Sequence, residues 1–133
     1  MIDCENEVFT RVADGLRDAF PDVNVTSEYV RAPTSFPHVS VVMADSYSVT
    51  EKEDSTFQEN LTGVLFEVNA YSNKASGRKA ECKHLINLAG DILTRMNFRR
   101  IGQTPVPNLE DGSIYRITAR FRAATDGKYF YRR

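Results

Sequence analysis

An α+β fold is what this sequence predicts: a two-layer sandwich with two helices packed on a mostly antiparallel sheet. Two observations point to it. Two long segments repeat apolar residues at helical spacing, and five shorter ones are β-branched or alternate apolar with polar residues. Placed in order they read α-β-β-β-α-β-β, and 133 residues are enough for one domain, spanning 1–133, with a real core.

The first helix is expected over 4–19, where Val8, Phe9, Val12, Leu16, Ala19 and Phe20 share a stripe. Asp3 can cap it, Glu5 and Glu7 suit the positive end of its dipole, and Pro21 stops it. Gly15 is a weak point, costing about 1 kcal/mol against alanine. A strand is expected over 23–30, then a connection holding Pro33 and Pro37, which lack ladder donors. A second strand runs from 38 to 49 around Val39, Val41 and Val42. Residues 50–60 are polar and aperiodic, and read as a mobile acidic loop.

The third strand, 63–71, is the cleanest. Val64, Phe66, Val68 and Ala70 alternate with Leu65, Glu67, Asn69 and Tyr71. Ser72 or Asn73 is expected to cap a long helix reaching Met96, with Cys82, Leu85, Ile86, Ala89, Ile92 and Leu93 in its apolar stripe and Asn97 as a left-handed stop. A short strand over 98–104 and a proline-rich turn over 105–112 lead to the last long strand from Ser113. There Tyr115, Ile117, Ala119, Phe121 and Ala123 face one way, and Arg116, Thr118, Arg120 and Arg122 the other. Val64, Phe66, Val68, Ile117 and Phe121 are the expected core. The tail, 128–133, is basic and aromatic.

Charge is distributed unevenly. Residues 1–70 hold 13 acidic side chains against 4 Lys/Arg, a balance of −9, whereas residues 71–133 hold 5 against 13, a balance of +8. If the halves occupy different faces, one copy's acidic face can meet the next copy's basic face, a head-to-tail contact that closes into a ring or runs on as a filament. If the fold interleaves them, the charges neutralise each other within one subunit.

Several function classes find no support. No apolar run is long enough to span a membrane, and the acidic start, MIDCENEVF, lacks the apolar stretch of a secretory signal. Cys4 and Cys82 are expected to be reduced thiols, and the two Asn-X-Thr triplets, at Asn24 and Asn60, would not meet glycosylation machinery in a cytosolic chain. Cys82 and His84 stand two apart on a helix, so they do not face each other as a nucleophile–base pair. No metal, phosphate-loop or dinucleotide motif occurs, and the expectation is a non-enzyme with no cofactor.

Three groups of residues remain as candidates for contact with a partner or for lining a channel. Glu51, Glu53 and Asp54 cluster in the acidic loop. Arg116, Arg120 and Arg122 share a strand face, where they repel unless acids or phosphates lie opposite. Their other readings are a solvated sheet face or the lining of a channel that DNA crosses. Tyr129, Tyr131 and Arg132 in the tail are of the kinds that anchor interfaces, and docking onto a partner is favoured over packing on the chain's own domain.

The element order, the length, the acidic loop before a central strand, the run Phe66-Glu67-Val68-Asn69-Ala70-Tyr71-Ser72-Asn73 leading into a basic-headed helix, and Arg-Ile-Thr-Ala-Arg-Phe-Arg-Ala at 116–123 together resemble the tail-terminator and tail-completion proteins of long-tailed bacteriophages. The resemblance implies a structural virion protein of the neck and tail, made in the host cytoplasm. It would form a six-membered ring that caps the tail tube, stops polymerisation and joins the tail to the head connector or stopper protein. Its partners would be copies of itself, the tube protein, the connector protein and, transiently, genome DNA, without a membrane. Two other readings are another neck or connector component, and a small nucleic-acid-binding module using the arginine face.

Overall fold

A computed structural model describes residues 2–49, 61–107 and 111–132. Its elements are α1 (Glu5–Ala19), β1 (Asn24–Thr26), β2 (His38–Ser48), β3 (Thr62–Ser72), α2 (Arg78–Arg95), β4 (Arg99–Pro105), β5 (Tyr115–Thr125) and β6 (Phe130–Arg132). The strands form one sheet in the order β1-β2-β3-β5-β4, with β6 also paired to β5. Among the described residues, only the β1–β2 pairing is parallel. The α+β sandwich expected from the sequence is therefore the fold, with a sixth strand added at the end of the order.

The core follows from the period-two pattern of the central strands. Val64, Phe66, Val68 and Ala70 of β3 lie opposite Ala123, Phe121, Ala119 and Ile117 of β5, and all eight are buried. Val39 and Val41 of β2 extend this apolar face. Val8, Val12, Ala13 and Leu16 of α1 and Cys82, Leu85, Ile86, Ala89 and Leu93 of α2 close over it. The helices approach closely at Gly15, where an added Cβ would run into the Ile92 side chain. The residue that weakens the helix in isolation is the one that lets α1 sit against α2.

Local chemistry corrects several boundaries. β1 spans three residues rather than 23–30, because the chain leaves the sheet edge and carries Tyr29 across to β5. α2 begins at Arg78, behind Gly77 at φ 84°, rather than at Ser72 or Asn73. Ser72 remains in β3 and instead donates its hydroxyl to Glu81 Oε1 at 2.7 Å, tying the strand end to the helix's first turn. At the other end Asn97 does adopt the left-handed conformation, at φ 69°. Asp3 accepts from Glu5 N–H at 3.0 Å, one residue ahead of the N-cap Cys4.

The tail is the main correction. It packs on its own domain: β6 pairs with β5 at Thr125↔Phe130 and Ala123↔Arg132. Phe130 is buried against Phe98, ring centroids 5.3 Å apart, and Phe98 meets Phe66 edge-on at 5.7 Å. One side of β5 is thus paired with β3, and the other with β4 and β6 placed end to end.

The oppositely charged halves interleave. β3, from the acidic half, pairs along its whole length with β5, from the basic half. The reading in which each half forms a separate face does not hold.

Candidate functional site

Both helices lie on the Val64/Phe66 face of the sheet. Among the described residues, no helix covers the opposite face, which carries Leu65, Glu67, Asn69, Tyr71 and the arginine row; Asn69 and Tyr71 are fully buried there, while Leu65, Glu67, Arg116, Arg120 and Arg122 keep some exposure. The row is real, but the subunit itself answers much of its charge. The Arg116 guanidinium donates through Nε and Nη2 to Asn69 Oδ1 at 3.1 and 2.7 Å, and Thr118 Oγ1 donates to the same oxygen at 2.6 Å. Asn69 in turn donates to Glu67 Oε1 at 3.2 Å, and Glu67 Oε2 pairs with Arg120 Nε at 3.2 Å. Arg120 is 59% exposed, so this ion pair contributes about 0–1 kcal/mol.

Arg116 is also held between two aromatic rings, 5.1 Å from the Tyr29 centroid and 5.5 Å from that of Tyr71. It donates to Tyr29 Oη at 3.2 Å. Burial pushes the Tyr71 phenol up to about 12. Beyond Arg120 the face turns cationic: Arg122 stands directly opposite Arg99 of β4, a like-charge cross-strand pair. A groove of about 640 Å³ runs along this face, lined by Glu67, Ile101, Gly102, Val106, Arg116 and Arg120. Ile101, the extra residue of a bulge between Arg100 and Gly102, is exposed on its rim. β4 forms the sheet edge, and all seven of its residues are exposed.

The tail residues form a second surface. Asp126 Oδ1 accepts from the backbone N–H groups of Tyr129 and Lys128 at 2.7 and 2.9 Å, and Oδ2 accepts from Tyr131 Oη at 2.9 Å. Those bonds hold the Asp126 carboxyl below the usual carboxylate range, and the bond to Asp126 raises Tyr131 above its ordinary value. Asn97 donates to Phe130 O at 3.0 Å and fixes β6 to the end of α2. Tyr129 and Tyr131 are exposed on this rigid turn, and Arg132 is exposed beside them.

Glu51, Glu53 and Asp54 lie outside the described residues. The two thiols are poorly suited to chemistry. Burial pushes Cys4 up to about 11 and Cys82 up to about 12, and Cys82 Sγ sits 3.3 Å from Tyr115 O. His84 is exposed on α2, whereas Cys82 is fully buried. Among the described residues, no group of three or more His, Cys, Asp or Glu could hold a metal ion. Asn69 and Tyr29, which organise the arginine face, were not singled out from the sequence. Asn69 was visible as the polar member of the β3 alternation, but its pairing with Arg116 depends on the β3–β5 register.

No protein-family model matches this chain, and no curated protein is significantly similar to it.

Proposed function

We propose that this chain is a structural protein of the head–tail junction of a long-tailed bacteriophage. It assembles as a six-membered ring that caps the tail tube, stops its polymerisation and offers its other side to the head connector. The single observation that carries the reading is the arginine-bearing strip of sheet beside a fully exposed edge strand, β4. A face with an exposed isoleucine, a groove and a like-charge Arg99/Arg122 pair suits contact with another macromolecule. The fold order supports it too, since the resemblance rests on that layout. In this reading genome DNA passes through the ring with weak, salt-labile contacts.

Mass measurement over a concentration series at low and high salt tests it. A hexamer, formed alone or on purified tail tubes, is expected. A chain that stays monomeric and leaves tube ends uncapped refutes the reading. Arg120→Glu separates it from a nucleic-acid module: the ring reading expects loss of ring formation or tail joining, the module loss of nucleic-acid binding alone. The engagement of Arg116 with Asn69 leaves less of the arginine row for phosphates.

A further inference from the structure

A cleft of about 390 Å³ lies where the start of α1, the end of α2 and the β6 hairpin meet. Its cations are Arg11, Arg95 and Lys128, with Tyr129 and Tyr131 on its rim. Glu7 offsets Arg11 in part, at 3.7 Å. Arg132, next along β6, adds a further exposed cation close by. Arg95 has no ion-pair partner among the described residues. The bonds to Asp126 and from Asn97 hold the hairpin backbone and the Tyr131 hydroxyl before any partner arrives, so docking here orders less of the chain. Tyrosine and arginine on a rigid rim are the composition of interface anchors.

Further along α1 lie exposed carboxylates, with Arg17 among them. Asp14 and Asp18 are exposed, one helical turn apart, and Asp22 is exposed just past the helix end. Asp14 and Asp18 have no hydrogen bond or ion pair among the described residues. Asp18 works against the helix. Like charges at i,i+4 repel, and Asp18 in the last turn faces the negative end of the dipole. A carboxylate that weakens its own helix, with no partner among the described residues, is free for a contact outside it. Arg11 and Asp18 are seven residues apart, about 10 Å along the helix axis. The basic cleft and the acidic end are therefore two patches of one molecule, each complementary to the other on a second copy.

We propose that the Asp14/Asp18 end of α1 from one copy docks into the Arg11/Arg95/Lys128 cleft of the next. The contact is heterologous, so it can propagate around a ring. The inference deepens the ring reading and rests on it, naming the surfaces that close the ring.

The test uses the full chain and measures self-association by native mass spectrometry and sedimentation at low and high salt. Asp18→Lys and Arg95→Glu, each folded by circular dichroism, are expected to weaken association on the order of tenfold. Mixing the two variants is expected to restore it, because each supplies the surface the other lacks. Asp14→Lys and Lys128→Glu repeat the comparison should either first variant fold poorly. Single variants that associate like wild type, or a mixture as weak as its components, overturn this contact while leaving the ring reading standing. A wild-type chain that never associates in solution also overturns it. Whether that chain still caps purified tail tubes then decides the ring reading separately.

Discussion

Phe66 is fully buried, edge-on to Phe98, in the middle of the longest strand pairing. Phe66→Ala leaves a cavity that β3 cannot close, and is expected to cost about 3–5 kcal/mol in urea unfolding. Its burial was legible in the sequence because alternation fixes which side of a strand faces the core. His38 was legible only as a strand border. It is buried, with Nδ1 3.0 Å from Asn24 Nδ2 and Nε2 3.2 Å from Thr26 Oγ1. Thr26 donates its own proton to Glu28 O at 3.1 Å, so its oxygen accepts from His38, and the imidazole sits neutral with Nδ1 accepting. Burial lowers the His38 pKa from the ordinary 6.5. Below that pH the unfolded chain binds a proton that the native state refuses. The stabilisation is complete above 6.5 and is lost as pH falls below it. Urea midpoints for wild type and His38→Gln are expected to diverge in slope between about pH 7.5 and pH 5.5, with the wild type falling more steeply. Cys82, with its thiol pushed up to about 12, is expected to react with a disulfide reagent only after unfolding.

Between elements, Asn69 is the joint of the arginine face. It is fully buried, and its one carbonyl oxygen accepts from both Arg116 and Thr118. Asn69→Ala strands those donors and is expected to destabilise by about 1–3 kcal/mol, with a double-mutant cycle to Arg116→Ala showing strong coupling. Gly15 works at the α1–α2 crossing. An exposed helical Gly→Ala change normally gains about 1 kcal/mol. Here Ile92 must turn its Cδ1 aside, so thermal unfolding of Gly15→Ala is expected to show little of that gain, and Gly15→Leu a loss of about 1–3 kcal/mol from overpacking. Helix interiors and the three long strands were readable because their periodicity is strong. The short elements were not. β1 and β6 are three residues each, too short for a pattern, and they exist because β2 and β5 offer them an edge. The rigid tail turn depends on Asp126 meeting Tyr131, which no local rule anticipates. The basic cleft draws on three separate elements, and only tertiary packing brings Arg11 to Arg95 and Lys128.

For the molecule as a whole, the sequence's charge asymmetry is real, but the sheet folds it back on itself by placing β3 against β5. What polarity remains is local, between the Arg11/Arg95/Lys128 cleft and the Asp14/Asp18 pair further along α1. A salt-sensitive hexamer in native mass spectrometry is the expected outcome, with high salt favouring smaller species. The position of β5 has a further effect. It lies inside the sheet, flanked by β3 on one side and by β4 and β6 on the other, although it comes late in the chain. During synthesis α1, β1, β2, β3 and α2 emerge first, with no partner for the inner edge of β3. Val64, Phe66 and Val68 stay without their β5 partners until residue 125 has left the ribosome. A nascent chain stalled after residue 112 is therefore expected to be protease-sensitive and to recruit chaperones, whereas one extended past β5 becomes resistant. That interval, when apolar strand surface waits for its partner, is where the chain is most exposed to aggregation.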